Sequence, residues 1–155
     1  MARRDDWLNE VEIMLVDAWS YLMRLPDRER AWLASASRSA WPVVIRDPIT
    51  DYAEQEEPRM PLGRREMAMV GKVFLDEGCL MVRLDVALRP LVAVVLSMKA
   101  RPERGGFKWE PVWERMGGKA CGVSTDGLRN RYERALVRLA VMVDEAVANQ
   151  SQRAA

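Results

Sequence analysis

At 155 residues the chain is long enough for one domain with a sizeable core, or for two small helical lobes. Its 49% apolar and 30% charged residues are those of a soluble globular protein. The absence of histidine and the presence of only two cysteines argue against the common zinc-ligand sets and against Ser-His or Cys-His nucleophile pairs, so neither a metal, a cofactor nor an enzymatic activity is expected.

The most apolar run, Leu91 to Leu96, falls far short of the roughly 18 to 20 residues of a membrane span. The N-terminal MARRDDW has two arginines but acids where a signal sequence would have its apolar core. A cytoplasmic protein without membrane contact is therefore expected. The net charge of +1 implies no particular partner, but its distribution does. Residues 99–138 carry ten Lys or Arg against five Asp or Glu, whereas residues 1–98 carry more acids than bases.

From Asp5 to Leu25, Trp7, Leu8, Val11, Met14, Leu15, Ala18, Trp19, Leu22 and Met23 recur every three or four residues, the period of an amphipathic helix. Asp5 and Asp6 stand where carboxylates cap free amides, and Pro26 stops the helix. A second helix is expected over Asp27 to Ser39 with Trp32 facing inward, then a long Pro-rich connection from Trp41 to Gly63. That connection reads as a solvated loop, with docking of a partner as its sharper alternative. Arg64 to Glu77 resumes helical spacing and Gly78 is its stop. Leu80 to Ala100 suits a strand by its β-branched content, but the pattern Leu84, Leu88, Leu91, Val92, Val95 and Leu96 favours a buried helix. Pro90 would bend that helix or open its second half. Arg101 to Gly106 reads as a linker, and the organisation expected is a helical bundle over 1–100 serving protein interaction, a helix-turn-helix lobe over 101–148 and a flexible tail over 149–155.

In the lobe, Trp109, Val112, Trp113 and Met116 mark a short apolar helix face with Pro111 in the first turn. Gly117 and Gly118 permit a sharp reversal, Val123 is placed to fill the space between helices, and Ser124, Thr125 or Asp126 can cap a second helix. That helix has a buried stripe of Leu128, Tyr132, Ala135, Leu136, Leu139, Met142, Val143 and Ala146. Off it, Arg129 and Asn130 are the side-chain types that read guanine and adenine edges, and Arg131, Arg134 and Arg138 suit phosphate. Lys119, in the turn, could touch phosphate. With Ser124 and Thr125 these are the candidate DNA-binding residues. The plainer reading of the same arginines is a solvated face with local pairs such as Arg129 to Glu133, and of the stripe, intramolecular core rather than a homodimer seam. Two features depart from a compact motif: the long GGKACGV turn, and Gly127, which weakens the first helical turn by roughly 1 kcal/mol relative to Ala.

The segment TDGLRNRYERALVRLA resembles the recognition helix of sigma-factor region-four-like helix-turn-helix domains, in which a small polar start leads into an Arg-rich helix with a Y-x-x-A-L-x-x-L finish. With WPVVIRD early and W-x-x-x-W-E-R-M-G late, the chain also resembles uncharacterised phage and prophage proteins, and more loosely phage late antiterminators. The expectation is an all-α protein, a helical N-terminal bundle followed by a C-terminal helix-turn-helix lobe. Its function is expected to be that of a phage-type or prophage-type transcription regulator that reads duplex DNA from Thr125 onward. The resemblance and the charge asymmetry together imply RNA polymerase or another host protein as a further partner. The alternative is a helical assembly or inhibitor protein, a packaging subunit or a binder of a host factor, in which the motif is a scaffold.

Overall fold

The computed structural model describes residues 2–25, 60–101 and 105–153; among them every regular element is helical, which makes the fold all-α. Helix α1 spans Ala2–Arg24 and buries Val11, Leu15, Ala18, Trp19 and Leu22, the centre of the stripe read from the sequence. It begins three residues before Asp5, so Asp5 lies in the first turn, where its charge meets the positive end of the helix dipole, and not at the cap. The expected helix over Asp27 to Ser39 and nearly all of the Trp41 to Gly63 connection lie outside the described residues.

The chain re-enters at Met60, whose carbonyl accepts a 2.9 Å hydrogen bond from Arg24 Nη2. Helix α2, Arg64–Val70, opens with Glu66 reaching back to accept the Gly63 N–H at 2.7 Å, one half of a capping box. It widens into a π-helical turn at Gly71–Leu75, closed by the Asp76 N–H donating to the Gly71 carbonyl at 2.8 Å. Widening lets Val70, Val73 and Phe74 all face inward. Gly78 then stops the segment at φ 78°, a left-handed conformation that favours glycine.

The single helix expected over Leu80 to Ala100 is instead two: α3 at Leu80–Arg83 and α4 at Arg89–Lys99, with Pro90 in the first turn of α4. The break is held by Arg89. Its guanidinium donates to the carbonyls of Val82 at 2.6 Å and Leu84 at 3.0 Å, acceptors that a continued helix would have satisfied. Leu91 through Leu96 are all buried, as befits a helix surrounded by the others.

Helix α5, Trp109–Arg115, packs on α4 and on the long helix α6, Thr125–Arg153. Its apolar face is as expected, with Val112 fully buried and Trp109, Trp113 and Met116 half-buried against the core. Helix α6 buries Leu128, Tyr132, Ala135, Leu136, Leu139 and Ala140, and it continues to Arg153 through residues expected to fray. One apolar cluster runs from Val11 on α1 to Ala140 on α6, and α1 packs along α6.

A polar junction crosses that contact. Glu12 Oε1 accepts hydrogen bonds from Lys99 Nζ at 2.5 Å and from the Tyr132 hydroxyl at 2.7 Å, joining α1, α4 and α6. Lys99 Nζ also lies 5.0 Å from the centre of the Phe107 ring and 5.8 Å from that of Tyr132, within cation–π range. Phe107, Trp109 and Tyr132 form an edge-to-face chain of rings around it, with centroids 5.2 and 5.8 Å apart. Burial, then the charge of Glu12, then the hydrogen bond to it hold the Tyr132 hydroxyl well above the usual tyrosine range.

Candidate nucleic-acid interface

The start of α6 is set by the turn before it. Gly117 at φ 108° and Gly118 at φ 56° reverse the chain after α5, and residues Gly118–Cys121 coil into one 3-10 turn. The long GGKACGV connection is thus compact. The Trp113 indole N–H donates to the Val123 carbonyl at 2.8 Å, which ties α5 to the residue just before the cap. Val123 is half-buried against the core, filling the space between the helices. Of the three candidate caps, Ser124 is the one used: its Oγ accepts the Gly127 N–H at 3.1 Å.

This geometry reverses the reading of Gly127 as a weak point. A Cβ on Gly127 would lie 2.7 Å from Val123 Cγ1, and the β-branched valine has little rotamer freedom with which to retreat. Gly127 is what lets Val123 fold over the first turn. Gly127→Ala should therefore lower stability by about 1 kcal/mol or more, although helix propensity alone favours Ala by a similar amount. A rise in the urea midpoint for this variant would refute the packing account.

Beyond the cap, Arg129, Asn130, Arg131, Arg134 and Arg138 are all exposed on α6, as are Lys119 and Ser124 before it, while Thr125 is half-buried. They do not form one cluster. Arg131, Arg134 and Arg138, spaced three and four apart, line one groove of about 360 Å³ whose other wall is the α3–α4 turn, through Asp85, Ala87 and Leu88. Arg131 and Arg138 make no ion pair among the described residues, and Arg134 Nε donates to the Asn130 carbonyl at 3.3 Å. Lys119, Ser124, Thr125, Arg129 and Asn130 lie outside that groove. Arg129 Nε instead pairs with Glu133 Oε1 at 3.2 Å, both side chains about 60% exposed, so the pair is worth only a few tenths of a kcal/mol and opens readily. Ser124 accepts through its oxygen and keeps its hydroxyl proton to donate.

Helical spacing does not foretell the wall of the groove, because it carries residues 84–88 as helix interior. The one trace in the sequence is the Asp85 to Pro90 stretch, DVALRP, in which an Asp precedes an Arg-Pro pair that can open a helix. Both cysteines are free, Cys79 buried and Cys121 half-buried, and burial pushes the Cys79 thiol up. Among the described residues no group of His, Cys, Asp or Glu could hold a metal, and no helix is long and apolar enough to cross a membrane. Comparison with known proteins finds no matching family model, no matching curated protein and no matching solved structure.

Proposed function

We propose that this protein binds duplex DNA through the N-terminal half of α6, as a transcription regulator of phage or prophage type. The observation that carries the DNA reading is the gathering of Arg131, Arg134 and Arg138 along one groove, lined by only one acid, with none of the three guanidiniums in an ion pair among the described residues. Arginines that served only to solvate a helix would gain from acidic neighbours, as Arg129 does from Glu133. Asn130 and Arg129 stand on exposed positions in the first two turns, where the recognition helix of a helix-turn-helix unit meets base edges. The regulatory role and a polymerase or other host partner rest on the sequence resemblance and on the acidic surplus before residue 99.

Anisotropy of a labelled duplex titrated with the protein at several salt concentrations tests the reading. Affinity should fall steeply with salt, and Arg131→Ala or Arg138→Ala should weaken every sequence and make the log–log salt slope shallower by about 0.9 each. Arg129→Ala or Asn130→Ala should instead cost about 1–3 kcal/mol of discrimination between sites. No anisotropy change with any duplex at low salt would sink the proposal.

A further inference from the structure

The arginine groove has a second wall, and that wall has a chemistry of its own. The α3–α4 turn is held firmly: the Leu88 N–H donates to the Asp85 carbonyl at 2.9 Å, the Ala87 N–H to Asp85 Oδ1 at 3.1 Å, and Arg89 clamps the carbonyls of Val82 and Leu84. Asp85 is the single acid lining the groove, and its Oδ1 already accepts from its own turn, so three guanidiniums face one carboxylate and the lining keeps a surplus of positive charge. Ala87 and Leu88 are apolar and contribute no charge. The site therefore joins a strongly cationic side to a braced wall that carries one carboxylate and two apolar side chains.

We propose that this groove seats one phosphodiester of a DNA backbone, its phosphate held by Arg131, Arg134 and Arg138 and its deoxyribose resting on Ala87 and Leu88. The inference rests on the DNA reading and extends the interface from α6 to the α3–α4 turn. Guanidiniums bind phosphate oxygens in pairs of parallel hydrogen bonds, and arginines three and four apart on a helix can converge on one group. The apolar wall fits the sugar, which inorganic phosphate lacks. Because the turn is braced by its own hydrogen bonds, it can act as a rigid stop that sets where α6 sits along the strand.

Ala87 offers a probe outside the arginines, since it is exposed and its backbone bond to Asp85 survives substitution. Duplex binding is measured by anisotropy across a salt series for the parent, Ala87→Lys and Ala87→Glu, with Ala68→Lys and Ala68→Glu on α2, outside the groove, as charge-matched controls. Circular dichroism verifies that each variant is folded. Ala87→Glu should weaken binding about fivefold and flatten the salt slope by about one, and Ala87→Lys should do the opposite, while the Ala68 pair changes little. Parental affinity and slope in both Ala87 variants, with Arg131→Ala still weakening the duplex, would overturn this proposal and leave the DNA reading standing. Equal effects at Ala68 and Ala87 would overturn it in favour of bulk charge. Displacement of the duplex by inorganic phosphate, but not by sulfate at equal ionic strength, would overturn it in favour of a free-phosphate site. Absence of duplex binding by the parent would remove both readings together.

Discussion

Trp19→Ala should lower the free energy of unfolding by about 3–5 kcal/mol, the largest single-residue loss expected among the described residues. Trp19 is 2% exposed, sits in the C-terminal third of α1 and meets Phe74 edge-to-face at a centroid distance of 5.7 Å. Truncation removes one of the largest side chains of the core and leaves a cavity between α1 and the π-helical turn. The neighbours cannot easily close it, because Val70 and Val73 are fully buried and β-branched. On the same helix Ile13 is 53% exposed, so Ile13→Ala should change stability by no more than about 0.5 kcal/mol. Urea unfolding of the two variants beside the parent is the measurement. Similar losses in both would show that α1 does not bury the face described.

The second large effect centres on Glu12. Glu12→Ala should cost about 2–3 kcal/mol, because it strips Lys99 and the Tyr132 hydroxyl of their shared acceptor while both stay largely buried. Tyr132→Phe should cost only about 1 kcal/mol, since Glu12 then keeps Lys99 and no buried donor is stranded. The double variant should lose less than the two single losses added together. The junction also predicts a pH dependence. Tyr132 keeps its proton in the folded protein at a pH where an unfolded tyrosine, with its ordinary value near 10, has lost it. The folded state then binds more protons than the unfolded state above about pH 10, so this contribution is whole below that pH and is lost as pH rises further. Denaturant midpoints measured up to pH 11 should fall faster for the parent than for Tyr132→Phe. Parallel curves would show that Tyr132 ionises freely in the folded state.

These two regions differ in how far the sequence foretells them. The stripe of α1 is legible because burial on a helix imposes a period, and Val11, Leu15, Trp19 and Leu22 keep it without interruption. The same rule finds the stripe of α6 and the face of α5. It cannot find the junction: Glu12, Lys99 and Tyr132 are far apart in the chain, and Tyr132 counts only as an apolar member of its stripe. The break at residues 84–88 is hidden for a related reason, since Leu84 is buried and so continues the period across a gap in the helix. What breaks it is Arg89 turning back onto two carbonyls, and side-chain direction leaves no mark in a spacing pattern. Gly127 misleads because propensity describes an isolated helix, whereas the deciding contact is with Val123 in the preceding turn. At the candidate interface the residue types are legible and their grouping is not. Arg129 and Arg131, two positions apart, diverge by roughly 160° around the helix, which sends one to a local pair and the other to the groove.

The seam between the first and last helices has a consequence for biosynthesis. Trp7 Nε1 reaches Asp144 Oδ1 at 3.3 Å and Glu12 reaches Tyr132, contacts that span more than a hundred residues of chain. While the polypeptide is still being translated, α1 has no α6 to lie against, and its tryptophan-bearing face waits in contact with solvent or a chaperone. Completion of the core is therefore a late event that comes after emergence of α6 from the ribosome. The price of such distant pairing is a slow search compared with a bundle closed by sequence neighbours. A nascent chain stalled before residue 125 should be cut by protease within α1, and one released after residue 153 should be protected there.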